Sequence, residues 1–269
     1  MMETTYVELR YLPQVRWAAL RELRGRDQHL ARGADTAVAL RLLDSLLVDA
    51  PGPALQPGMA ARLPAADRDG LLAAVYLNTY GPRIAGVIAC TACGQRFEID
   101  FDLPSLRAAL PARAMANHGE LDGHLTYRLD DGRVVRLPTG EDELAVWRLA
   151  PADAFPDLLR RCVVEGEWSS DPQAVEAAMQ AVAPLLDTEL EAHCPECATV
   201  NTVAFNIQHF LLEAIAAEQP QLNADVHRIA SAYGWDLATI LDLPRRDRRA
   251  YVALIEGDAS RMDQRMVAL

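Results

Sequence analysis

Cys90-Thr91-Ala92-Cys93 and Cys194-Pro195-Glu196-Cys197 are the two stretches on which the reading of this fold turns. Ile84, Gly86 and Ile88 lead into the first. Phe97, Ile99 and Phe101, alternating with Glu98, Asp100 and Asp102, lead out of it. Leu190 and Ala192 enter the second, and Val203, Phe205 and Ile207, set against Thr202 and Asn206, leave it. A period of two marks half-buried strands, so both stretches read as strand, turn, strand, with the cysteines at the turn. Four soft thiolates on two tight turns make the ligand set of a tetrahedral, structural zinc site. About 100 residues lie between the pairs, far more than in a minimal zinc ribbon. A shared site therefore makes the intervening chain an insertion and ties distant parts of the chain together.

In a cysteine turn of this kind, backbone N–H groups aim at the sulfurs, and the residue behind the second cysteine takes a positive φ that suits glycine. Gly94 fits. Ala198 stands at the matching place, where a left-handed backbone costs about 1–2 kcal/mol. Either that strain is carried or the second turn differs. The rival chemistry, a redox dithiol, opens a helix in a βαβ setting, whereas both pairs here sit between strands. His193 could be a spare ligand, but a surface histidine beside Cys194 is the simpler reading. Four protein sulfurs leave no open coordination position, so no water is activated. The fifth cysteine, Cys162, lies among Leu158, Leu159, Val163 and Val164 and reads as a buried, inert thiol.

The 269 residues, 51% of them hydrophobic, suffice for a sizeable core, and the net charge of −12 argues against a surface that coats phosphate backbones. All 26 basic residues are arginine. Met1–Arg10 lacks the features of a signal peptide, and no run approaches the roughly 18 apolar residues of a membrane span. A cytoplasmic location is expected, and there paired cysteines favour metal over disulfide. Asp67, Asp69, Glu141, Asp142 and Glu143 read as helix-start carboxylates. His29, His118, His124, His209 and His227 form no ligand pattern, and there is no glycine-rich phosphate loop. No enzymatic activity is expected.

The expected fold class is α+β: zinc-ribbon β-hairpins carrying a large α+β insertion, flanked by N-terminal and C-terminal helical segments. Residues 1–82 hold a strand over Val7, Leu9 and Tyr11 that ends at Pro13, a helix capped by Asp35, and a helix over Ala65–Tyr80 stopped by Gly81-Pro82. Asp49–Pro64, rich in proline and glycine, reads as a linker. Residues 83–110 and 187–208 are the two ribbon halves. The insertion, 111–186, holds a hairpin around Asp131-Gly132, a capping box opened by Thr139 and a helix near Asp171 ended or kinked at Pro184. Residues 209–269 are helical, punctuated at Pro220, Gly234 and Pro244.

Within that last segment, Ala230, Gly234 and Ile240 match the small, turn and apolar positions of a helix-turn-helix. The recognition helix it would offer, Leu237–Leu243, is short, apolar and cut by Pro244, so it has little with which to read a base edge. Two packed helices with Trp235 and Tyr251 in a small core account for it better. Arg245, Arg246, Arg248 and Arg249 then become a candidate partner-facing surface.

Taken in order, three stretches resemble the baseplate hub assembly chaperones of contractile-tailed phages and contractile injection systems. The first is Asp67-Arg68-Asp69 through Tyr80-Gly81, Cys90 to Gly94 and the strand Phe97–Leu103. The second is Arg136-Leu137-Pro138-Thr139-Gly140 with Asp142. The third is Cys194 to Cys197, Val226-His227-Arg228-Ile229-Ala230, Tyr233-Gly234-Trp235, Ile240 to Arg245 and Arg249 to Tyr251. The likeness runs from about Leu63 and is weaker over the first fifty residues and over Ala108–Gly123. It implies a non-enzymatic factor that builds the hub, with Cys90, Cys93, Cys194 and Cys197 holding Zn2+. Its partners would be baseplate or hub proteins of a contractile tail, and the chain either leaves or is retained in the assembled particle; the acidic charge disfavours nucleic acid, and no membrane is expected as a partner. The alternatives are a permanent baseplate subunit and a zinc-ribbon or helix-turn-helix nucleic-acid regulator.

Overall fold

The computed structural model describes residues 4–110 and 118–267, the last ten as helical backbone. The expected start of the insertion, at 111, lies outside the described residues. The chain is α+β, with several small sheets.

At the N-terminal end, β1 (Thr4–Glu8) and β2 (Trp17–Arg21) pair antiparallel. Then come α1 (Gly25–Leu30), α2 (Thr36–Leu46) and the short β3 (Ala54–Leu55), parallel to β2. β1 ends before Pro13 for a specific reason: the Arg10 and Tyr11 N–H groups both turn to the Asp67 carboxylate, each at 2.9 Å. α2 starts where its sequence indicates, with Asp35 accepting from the Val38 N–H. Asp49–Pro64 is not a linker. Ala54, Leu55, Ala60 and Leu63 are buried, and Asp44 accepts the Ala60 N–H at 2.9 Å. The prolines and glycines do mark turns there, but the small apolar residues between them enter the core.

α3 (Ala65–Tyr80) has the length read from its sequence and ends at Gly81, which takes φ +90. It is buried almost all round from Ala65 to Tyr76, because β1, α2 and a later helix enclose it. Next come β4 (Arg83–Ala89), β5 (Arg96–Asp102) and α4 (Leu103–Ala109). β6 (Gly119–Leu121), β7 (His124–Arg128) and β8 (Val134–Arg136) lead to α5 (Gly140–Val146) and α6 (Pro151–Cys162), after which β9 (Val163–Glu165) completes a four-stranded sheet. α5 carries the Thr139–Asp142 capping box. α7 (Pro172–Val182), capped by Asp171, ends before Pro184. β10 (Asp187–His193), β11 (Val200–Asn206), α8 (Ile207–Ala217), α9 (Gln219–Tyr233), α10 (Leu237–Asp242) and α11 (Arg245–Val267) complete the chain. The largest apolar cluster joins the first sheet, α2, α3 and α8. A second unites Tyr127, Val135, Leu159, Cys162, Val175 and Met179. A third packs Ile229, Ile240 and Val252 with Trp235 and Tyr251. Among the described residues no helix is long and apolar enough to cross a membrane.

The two cysteine hairpins repeat each other at a constant offset of 104 residues, from Arg83/Asp187 to Leu103/Ile207. Registers match: Ile84 pairs with Phe101 as Thr188 pairs with Phe205. So do the exits. Asp102 accepts the Ser105 N–H to cap α4, and Asn206 accepts the His209 N–H to cap α8. The inward faces stack on one another, with the equivalent rings of Phe101 and Phe205 touching edge to face at 5.0 Å. Contact between equivalent residues means that a local two-fold axis passes between them.

Candidate metal centre

Both cysteine turns close with the same two bonds. The Cys90 N–H donates to Gln95 O and the Gly94 N–H to Cys90 O; the Cys194 N–H donates to Thr199 O and the Ala198 N–H to Cys194 O. Gly94 takes φ +73 and Ala198 φ +58, so the second turn does adopt the left-handed conformation and carries its strain. The turns meet at the tip of the stacked hairpins. Cys90 Sγ lies 3.6 Å from Cys197 Sγ, and Cys93 Sγ lies 3.8 Å from Cys194 Sγ. These contacts are each other's counterparts across the local two-fold, and all four sulfurs lie within 4.8 Å of one another. A tetrahedron of sulfurs at about 2.3 Å from zinc has edges of about 3.8 Å. A disulfide would need about 2.0 Å. The two shortest contacts match that edge, the cluster as a whole could hold a metal ion, and the four cysteines are unbridged.

The electrostatics favour thiolates at two corners. The Cys93 and Ala92 N–H groups point at Cys90 Sγ and pull its thiol down to about 6. The Thr199 hydroxyl and N–H lower Cys197. Cys93 receives a bond from the Gln95 N–H, yet desolvation and the adjoining thiols of Cys197, Cys90 and Cys194 hold it up at about 12. Packed thiols without a cation compete to stay protonated, and a divalent metal relieves that competition.

Asn201 is the residue that the sequence reading passed over. It is buried on β11, accepts from the Thr91 N–H at 2.8 Å and the Thr91 hydroxyl at 3.0 Å, and donates towards Cys90 Sγ at 3.7 Å. One hairpin thus holds the other's turn in place. At the offset of 104, the counterpart of Thr91 is Pro195 and the counterpart of Asn201 is Phe97. Proline has no N–H to satisfy, so its acceptor can be an aromatic ring; threonine needs one. The signal was available: Asn201 is a polar residue at an inward-facing position of the alternation.

Other candidates fall elsewhere. Exposed His193 is not among the clustered ligands. Cys162 is fully buried, which pushes its thiol up to about 12. The arginine cluster is divided by the helix that carries it. Positions 245, 248 and 249 share one face of α11. Arg248 is 2% exposed, donates to Gln28 Oε1 at 2.7 Å and lies 3.6 Å from Asp225, so it presents nothing to a partner. Arg245 is paired with Glu218 and lies over the Tyr80 ring. Arg249 reaches the same Glu218 at 3.3 Å, and Arg246 lies within 4 Å of Glu22 and Asp247. A run of arginines looks solvated in one dimension; its helical spacing turns part of it inward.

The carboxylates at the start of α3 do more than face a helix dipole. Asp67 ties down the end of β1, and Asp69 accepts the Leu186 N–H at 3.0 Å, just ahead of β10. Burial holds both at about 6, against the pull of the Arg10 and Tyr11 N–H groups on Asp67 and of Arg68 and the Leu186 N–H on Asp69. Between them Arg68 reaches Glu143 at 2.6 Å. No family model, curated protein or solved structure matches the chain.

Proposed function

We propose that this chain is a non-enzymatic assembly factor for the baseplate hub of a contractile phage tail or injection system, acting in the bacterial cytoplasm and held rigid by a structural zinc ion. The observation that carries the structural half is the four-sulfur cluster at tetrahedral spacing, closed on all sides by protein ligands. Such a centre builds a scaffold and leaves no site for substrate. The paired hairpins serve as a zinc ribbon split by the long insertion. The assembly half rests on the ordered motifs from Asp67 to Tyr251 that resemble the hub chaperones. Several of them have structural work here: Asp67 and Asp69 staple two other elements to α3, and Arg136 pairs with Asp142 at 2.6 Å beneath the capping box.

A nucleic-acid role is disfavoured because Arg245 and Arg249 share Glu218 and Arg248 is interior. The test is a tagged pull-down from the native bacterium, run beside purified mature particles. Hub or baseplate proteins in the pull-down, with this chain missing from the particle, are the expected result. Its presence in both would make it a permanent subunit, and recovery of no tail protein would end the assembly reading. Metal analysis of protein purified without added metal should give about one zinc per chain.

A further inference from the structure

β1 is the outer strand of its sheet, and its register decides which backbone groups are spare. The Leu9 N–H donates to Arg16 O. Antiparallel alternation then bonds Val7 and Thr5 to β2 and turns the N–H and C=O groups of Glu8, Tyr6 and Thr4 outward. That edge borders a cleft of about 650 Å3 between β1 and α4, floored by α3. A smaller recess, lined by Tyr11, Asp67 and Arg107, prolongs it.

Two side chains at this cleft are largely exposed despite their size. Tyr6 is 65% exposed, set edge-on against Trp17 at 5.2 Å. Arg107, on the α4 wall, is exposed and makes no direct ion pair among the described residues, its charge bearing only at a distance on the buried Asp67. Arg10 nearby is neutralised by Glu8 at 3.3 Å. A chain of net charge −12 therefore places an exposed cation, balanced only by the buried Asp67, beside a row of backbone groups unbonded among the described residues and an exposed ring. Strand edges are commonly guarded by charge, bulges or brevity; here the single Glu8 is already spent on Arg10.

We propose that the free edge of β1 receives an extended, acidic segment of a partner protein, which adds as a strand beside β1 and sets a carboxylate against Arg107. Main-chain bonds to Tyr6 and Glu8 supply affinity, the Arg107 contact sets the register, and the Tyr6 ring covers an apolar side chain of the segment. The inference does not depend on which machine the chain helps to build.

The probe is a fluorescein-labelled heptapeptide of alternating glutamate and valine, followed by fluorescence polarisation with the full chain. Saturable binding is expected. Arg107→Glu, checked for unchanged circular dichroism, should weaken it by about tenfold or more, the equivalent of one charge-assisted contact. N-methylation of alternate peptide residues, which removes the donors facing β1, should abolish it. No saturation by about millimolar protein, equal binding of a lysine–valine peptide, or indifference to Arg107→Glu would overturn the proposal. So would a concentration-dependent dimer that Arg107→Glu dissolves, since the edge would then belong to a second copy.

Discussion

Ala198 keeps the same N–H bond to its leading cysteine that Gly94 makes, at 2.9 Å against 3.0 Å, yet does so with a Cβ crowding the backbone at φ +58. Replacing it relieves about 1–2 kcal/mol of strain and returns about 0.4–1 kcal/mol to the unfolded chain as entropy. Ala198→Gly should therefore stabilise the metal-loaded protein by up to about 1 kcal/mol in urea melts. Gly94→Ala should do the reverse by a similar amount, since a Cβ there meets no neighbour and only φ is at issue. Asn201→Leu, leaving the Thr91 N–H unpaired, should cost about 1–3 kcal/mol and weaken metal affinity ten- to a hundredfold in chelator competition. Cysteines announce themselves by type and spacing. Asn201 did not, because its role depends on a turn more than a hundred positions away.

At the scale of elements, α3 is where titration reaches stability. Asp67 and Asp69 ionise at about 6 in the folded chain, against an ordinary value near 3.8, because burial penalises their charge. The folded state consequently binds more protons than the unfolded state between about pH 4 and 6. Their contribution to stability is complete below the lower value and is lost as pH rises through the upper one. Each loss is on the order of 3 kcal/mol. Asp69→Asn, which keeps an acceptor for the Leu186 N–H, should flatten the difference in unfolding free energy between pH 4.5 and 7; an unchanged slope would show that Asp69 ionises normally. α2, α3 and both cysteine hairpins were legible because their period and caps are local. β3, β6 and β9 were not: strands of two or three residues carry no period, and distant partners create them. α6 hid behind its internal Pro156 and its many charges, with only Leu159 and Cys162 buried.

For the molecule as a whole, a metal held by the four sulfurs would close a loop of about 100 residues. A cross-link of that span removes about 4–5 kcal/mol of unfolded-chain entropy, so chelation should lower the melting temperature sharply. Cys194→Ser should bind no metal and melt like the chelated protein; a metal-bound, fully stable Cys194→Ser would sink the clamp. The α+β class was readable from alternating and helical periods together, whereas the enclosure of α3 and the inward turn of Arg248 arise only when remote segments meet. The local two-fold carries a further consequence. Each cysteine turn would supply half of the proposed coordination shell, and two separate chains bearing one turn apiece could complete it only by colliding. Such a centre would empty on dilution, its occupancy set by how often halves find each other. Strung on one polypeptide, the halves share a fixed effective concentration, and occupancy answers to the metal alone, however scarce the protein becomes.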